Sequence, residues 1–200
     1  MDAIPATRKI TRDTLYTLEH YARIRPDFRA KVMAHKRHRV VHLGDHATLY
    51  FEDALTMLYQ VQEMLRVERM FEPEAIEEEI AAYNPLIPDG TNWKATFMIE
   101  YVDAEERARA LAGMVGIEDK VWARVAGFEK AYAIADEDLE RSTGDKTSSV
   151  HFLRFELAPA MAAAAKTGAA ISFGIEHAAY SASADPVPDA VRTSLAGDLA

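Results

Sequence analysis

Apolar residues fall at two distinct periods along the chain, and their alternation predicts most of the architecture. From Trp93 to Tyr101, the positions Trp93, Ala95, Phe97, Ile99 and Tyr101 alternate with Lys94, Thr96, Met98 and Glu100, the period of a strand with one buried face. The same alternation marks strands over 149–158 and 170–177. Around Gly44-Asp45 and around Gly127-Phe128, paired β-rich runs (39–43 with 46–52, 120–126 with 129–135) predict two hairpins.

Helical spacing appears elsewhere. Ala54, Leu58, Val61 and Leu65 form one stripe and predict a helix over about 53–70. Thr11 and Asp13 are placed to cap a helix to about Tyr21, and Pro26 to open a second to about Lys36, so the amino end is expected to be a helical pair. Further helices are predicted from Glu72 to Tyr83, from Asp103 to Gly116, over the alanine-rich 159–167 closed by Gly168, and over 189–199. The segment 84–90 carries two prolines and an Asp-Gly pair and reads as a loop. Helices mix irregularly with hairpins, which predicts an α+β fold with a mainly antiparallel sheet and flanking helices. No repeat or low-complexity linker divides it, so a single domain over 1–200 is expected, with a helical region at about 11–38 and a mixed body at about 39–200.

Composition narrows the chemistry. The chain has no cysteine, which excludes disulfides, thiolate metal sites, cysteine-ligated iron–sulfur clusters and cysteine nucleophiles. A net charge of −9 gives no strong nucleic-acid signal, because such binding draws on Lys and Arg. One basic run, from Arg23 to Arg39, could serve an acidic partner or the acidic 72–79 segment of the same chain. The longest apolar stretches fall well short of the roughly 20 residues of a membrane span, and the amino end lacks a signal-peptide pattern, so a cytoplasmic protein is expected.

Candidate functional residues fall in two groups. The helix after Phe51 carries Glu52 at its entry, then Gln60, Gln62, Glu63, Arg66 and Arg69, with Gln62, Arg66 and Arg69 at i, i+4 and i+7 as a polar stripe. The second group is His151, Arg154 and His177. Each histidine is in phase with apolar strand residues, and a buried imidazole needs partners or costs several kcal/mol. If a metal binds, His151, His177 and Glu63 are the candidate ligands. The histidines at 35, 38, 42 and 46 are split by a helix end and a turn, and helix-end capping accounts for them. The acidic stretch 136–147 resembles the start of a calcium loop, but Arg141 stands where that loop requires glycine; it reads as an ordered polar surface loop. Nucleophile-elbow, dinucleotide-glycine and zinc-protease patterns do not occur.

The segments 51–52, 59–65 (Tyr-Gln-Val-Gln-Glu-Met-Leu), 83–90 (Tyr-Asn-Pro-Leu-Ile-Pro-Asp-Gly), 136–142 (Asp-Glu-Asp-Leu-Glu-Arg-Ser) and 150–155 (Val-His-Phe-Leu-Arg-Phe) resemble the bacterial DUF3501 family. The resemblance runs from about Ile10 to Leu199 and supplies no catalytic residues. It implies a redox or peroxide-stress setting, with a rubrerythrin-like di-iron protein as neighbour. Two expectations follow: an accessory protein that docks an iron-dependent redox partner through the polar helix face and the acidic loop, or a metal-dependent or cofactor-free enzyme with a pocket of His151, His177, Glu63 and Arg154.

Overall fold

The computed structural model describes residues 4–200. Its strands are β1 (Val40–Leu43), β2 (Ala47–Glu52), β3 (Asn92–Ile99), β4 (Val121–Val125), β5 (Ala131–Tyr132), β6 (Ile134–Ala135), β7 (Val150–Glu156), β8 (Ile171–His177) and β9 (Tyr180–Ala184). Its α-helices are α1 (Leu18–Lys36), α2 (Ala54–Val67), α3 (Pro73–Tyr83), α4 (Ala104–Gly113), α5 (Pro159–Lys166) and α6 (Asp189–Ala196). The fold is α+β, and every strand pairing is antiparallel.

Two sheets form, in the orders β1-β2-β3-β7-β6 and β5-β4-β8-β9. They share one interior. Phe173 of the second sheet lies with its ring centroid 4.8 Å from Phe51 and 5.6 Å from both Trp93 and Phe155 of the first. The alternation read in β3 is the cause: Trp93, Ala95, Phe97 and Ile99 are all buried, and Leu153 and Phe155 of β7 face the same space. Each such side chain contributes roughly 2 kcal/mol by leaving water.

A second apolar cluster joins α1, α2 and α3 through Tyr21, Phe28, Val32, Leu58, Val61, Leu65 and Ile80. Where the helical layer meets the sheets, Arg39 is 1% exposed. Its guanidinium grips Asp198 at 2.6 and 3.1 Å and donates to the carbonyls of Phe51 and Glu52, both at 3.0 Å. Burial pushes the Asp198 carboxyl up to about 6, against the pull of Arg39. The residues after α6 are thereby locked to the first hairpin.

Three local expectations are corrected. The helical pair is one short 3-10 turn, Arg12–Thr14, followed by a single long helix. Thr17, not Pro26, provides its start, accepting from the His20 amide at 3.2 Å. Pro26 lies inside α1 on its exposed side, where the carbonyl left unbonded one turn earlier, that of exposed Ala22, meets water. The run 129–135 is two short strands, β5 on the second sheet and β6 on the first, which carries the chain between sheets. β9 was not expected; its Tyr180 hydroxyl donates to the Leu43 carbonyl at 2.6 Å and accepts from the His46 amide at 3.1 Å, pinning the first hairpin.

Candidate functional site

Glu52, Gln62, Glu63 and Arg66 of the polar group around α2 are taken up by the fold. Glu63 accepts from the Tyr21 hydroxyl at 2.7 Å, from Arg25 at 2.7 and 2.8 Å, and from Arg66 at 3.1 Å. Those donors, with Arg25 foremost, hold its carboxyl down at about 2. Gln62 is fully buried, and its Oε1 accepts from the Tyr16 amide at 2.5 Å. Glu52 is buried and accepts from Thr56 at 2.7 Å and Thr96 at 2.9 Å, joining β2, α2 and β3. Arg69 is exposed and takes a left-handed conformation (φ 54°) just past α2. Gln60 is half-buried.

The second group does not converge either. Arg154 is engaged bidentately by Glu137, at 2.8 Å for both contacts, and by Glu156 at 2.5 Å. His177 ends β8 half-buried; its Nδ1 accepts from the Ala179 amide at 3.1 Å and its Nε2 lies 3.2 Å from the Val115 carbonyl. His151 alone is fully buried, on the other sheet. The expected pocket of His151, His177, Glu63 and Arg154 is therefore not assembled.

What gathers around His151 is a different set. Its Nδ1 lies 2.6 Å from Asp136 Oδ2, and its Nε2 lies 2.8 Å from Thr147 Oγ1, 3.1 Å from the Ser148 carbonyl and 3.8 Å from Glu118 Oε2. Thr147 donates to Glu118 at 3.1 Å, and the Ser142 hydroxyl bonds the other Glu118 oxygen. Asp136 also accepts from the Phe152 amide at 3.0 Å and from Arg141 at 3.2 Å, and its backbone is left-handed (φ 51°). Glu118, Asp136 and His151 can bring one ligand atom each within 4.8 Å of one another. By its composition 136–147 reads as a surface loop. Glu118 sits in a separate 3-10 turn, Ile117–Lys120, so nothing in local spacing announced the cluster.

The open surface lies at the far end of α2. A groove of about 390 Å³ runs between the 3-10 turn and the α2–α3 connection, floored by Leu15, Leu18, Leu65, Met70 and Ile76. Phe71 lines it at 69% exposure, and nearby Val67 is 56% exposed. Glu68, Glu72, Glu74, Glu77 and Glu78 are all exposed along the same stretch. Burial and then the Glu68 charge push the Glu79 carboxyl up. Among the described residues, the cation bridged to this run is Arg12, 3.9 Å from Glu77. Among the described residues no ion pair joins the basic run 23–39 to it; within that run Arg25 serves Glu63 and Arg39 serves Asp198.

A two-sheet antiparallel body bearing a three-helix layer defines the class of protein. The chain belongs to the family described as protein of unknown function (DUF3501), whose model matches residues 9–199. It is similar to a protein of unknown function from Burkholderia pseudomallei known from its crystal structure: 51% identity, TM-score 0.91, covering 96% of this chain and 100% of that one. The comparison with curated proteins gives no match. Among the described residues no helix is long and apolar enough to cross a membrane.

Proposed function

We propose that this protein is a cytoplasmic accessory protein that docks an iron-dependent, rubrerythrin-like redox partner, and that the docking surface is the groove between the 3-10 turn and the α2–α3 connection. The observation that carries the reading is Phe71, a large aromatic side chain 69% exposed at the edge of an apolar trough and framed by exposed carboxylates. An exposed aromatic costs solvation in isolation and serves as an anchor when a partner covers it. The surrounding charge selects the occupant, an amphipathic segment with an apolar face and Lys or Arg on its flanks. The polar face of α2, expected to dock the partner, is spent on intramolecular bonds, so the contact shifts one turn along to the helix end. The redox setting comes from the family resemblance.

The test is calorimetric titration of the protein with the rubrerythrin-like di-iron protein of the same organism at low and high salt. Binding that weakens as salt rises and is lost in Phe71→Ser supports the proposal. Binding insensitive to both, or none at micromolar concentration in low salt, sinks it.

A further inference from the structure

We infer that the buried cluster of Glu118, Thr147 and His151 is a binding site for a divalent first-row cation of the Mn²⁺ or Fe²⁺ type, with Asp136 and Arg141 supporting the imidazole from behind. The argument is a count of hydrogens. A carboxylate accepts, so the 2.6 Å contact between Asp136 Oδ2 and His151 Nδ1 places the hydrogen on Nδ1. In the neutral ring Nε2 presents its lone pair to the opposite side, where it meets Thr147 Oγ1 at 2.8 Å, the Ser148 carbonyl at 3.1 Å and Glu118 Oε2 at 3.8 Å. The Thr147 hydroxyl is the donor within reach of that lone pair. It has one hydrogen to divide between Nε2 at 2.8 Å and Glu118 Oε2 at 3.1 Å, so one of these two acceptors goes without it.

Two acceptors therefore share a single hydroxyl hydrogen, in a cluster where His151 is 0%, Thr147 1% and Glu118 7% exposed. Whichever acceptor lacks that hydrogen bears a desolvation cost, and a cation placed among these converging nitrogen and oxygen atoms removes it. The donor set is one imidazole nitrogen with carboxylate, hydroxyl and carbonyl oxygens, and the chain has no cysteine to offer a thiolate. That mixture is harder than the zinc sites of thiolate proteins and suits Mn²⁺ or Fe²⁺. The second layer has the form metal sites use: a carboxylate fixes the ring through Nδ1, and a guanidinium, Arg141 at 3.2 Å, braces that carboxylate. Burial leaves no path for substrate, so the ion would be structural, tying the 136–147 loop and the Ile117–Lys120 turn to β7. The inference shares no residue with the docking groove and stands apart from it.

The experiment is dialysis of the purified full chain against MnCl₂ and then metal-free buffer, followed by elemental analysis, Mn²⁺ electron paramagnetic resonance and thermal unfolding with and without EDTA. The expected result is about one Mn²⁺ per chain, a Tm raised by Mn²⁺ and lowered by EDTA, and loss of both effects in Glu118→Gln, a near-isosteric change that retains hydrogen bonds to Ser142 and Thr147. Metal below a tenth of stoichiometric with a Tm indifferent to Mn²⁺ overturns the inference and leaves a second imidazole proton in the ion's place. Binding unchanged in folded Glu118→Gln, as judged by circular dichroism, overturns it equally.

Discussion

Replacing Glu63 by glutamine separates a structural clamp from a functional site. In the wild type, one carboxylate is shared by Tyr21 and Arg25 of α1 and by Arg66 of α2, with its side chain 17% exposed. A carboxyl depressed from 4.5 to about 2 corresponds to a ceiling of about 3.4 kcal/mol, at about 1.36 kcal/mol for each pH unit. Arg25 and Arg66 are 34% and 39% exposed, and solvent screening of such partners brings the expected cost of Glu63→Gln to about 1–2 kcal/mol near neutral pH. The sign follows from the depressed value: the contribution is fully present above about 4.5 and is lost as pH falls toward 2. Urea unfolding of both proteins between pH 7 and pH 3 reads it directly. The stability gap should be constant from pH 7 to about 5 and narrow below that. A gap absent at pH 7, or one that stays constant to pH 3, refutes the clamp.

Four further outcomes follow from the same physics. Arg39→Met leaves Asp198 buried without its cation and should cost about 3–5 kcal/mol in thermal unfolding, with Arg39→Lys recovering only part because it lacks the bidentate fork. Gly174→Ala places a Cβ 2.3 Å from the Trp122 ring and should destabilise by about 1–3 kcal/mol, with an altered near-ultraviolet circular dichroism of that indole. Tyr180→Phe removes the hydroxyl joining Leu43 and His46 and should cost about 1 kcal/mol while speeding amide exchange at His46. Phe71→Ser, at an exposed site, should leave denaturant stability within about 0.5 kcal/mol.

Strands that bury one face were legible because burial imposes alternation: Trp93 to Ile99 and Leu153 to Phe155 face the interior as their spacing requires. β9 escaped for the converse reason. Its Tyr-Ser-Ala-Ser-Ala lies at a sheet edge with little buried, and it is held by pairing to β8 and by one phenol rather than by an apolar face. The α2 stripe was legible as a concentration of polar groups but not as a clamp, because its partners Tyr16, Tyr21 and Arg25 lie some forty residues away. His151 was identified by phase alone. Its companions Glu118 and Thr147 come from a turn and a loop that carry no periodicity, so tertiary folding alone brings them together. Pro26 misled because a proline at a first turn and one on a solvated helix face look alike in sequence.

Hydrogen exchange of the protein with and without the rubrerythrin-like di-iron protein tests the docking surface most directly. The account predicts slowed exchange confined to the end of α2, the connection through Phe71 and the first turns of α3. Protection over the basic face of α1 or the 136–147 loop, with the α2–α3 connection unchanged, would contradict it.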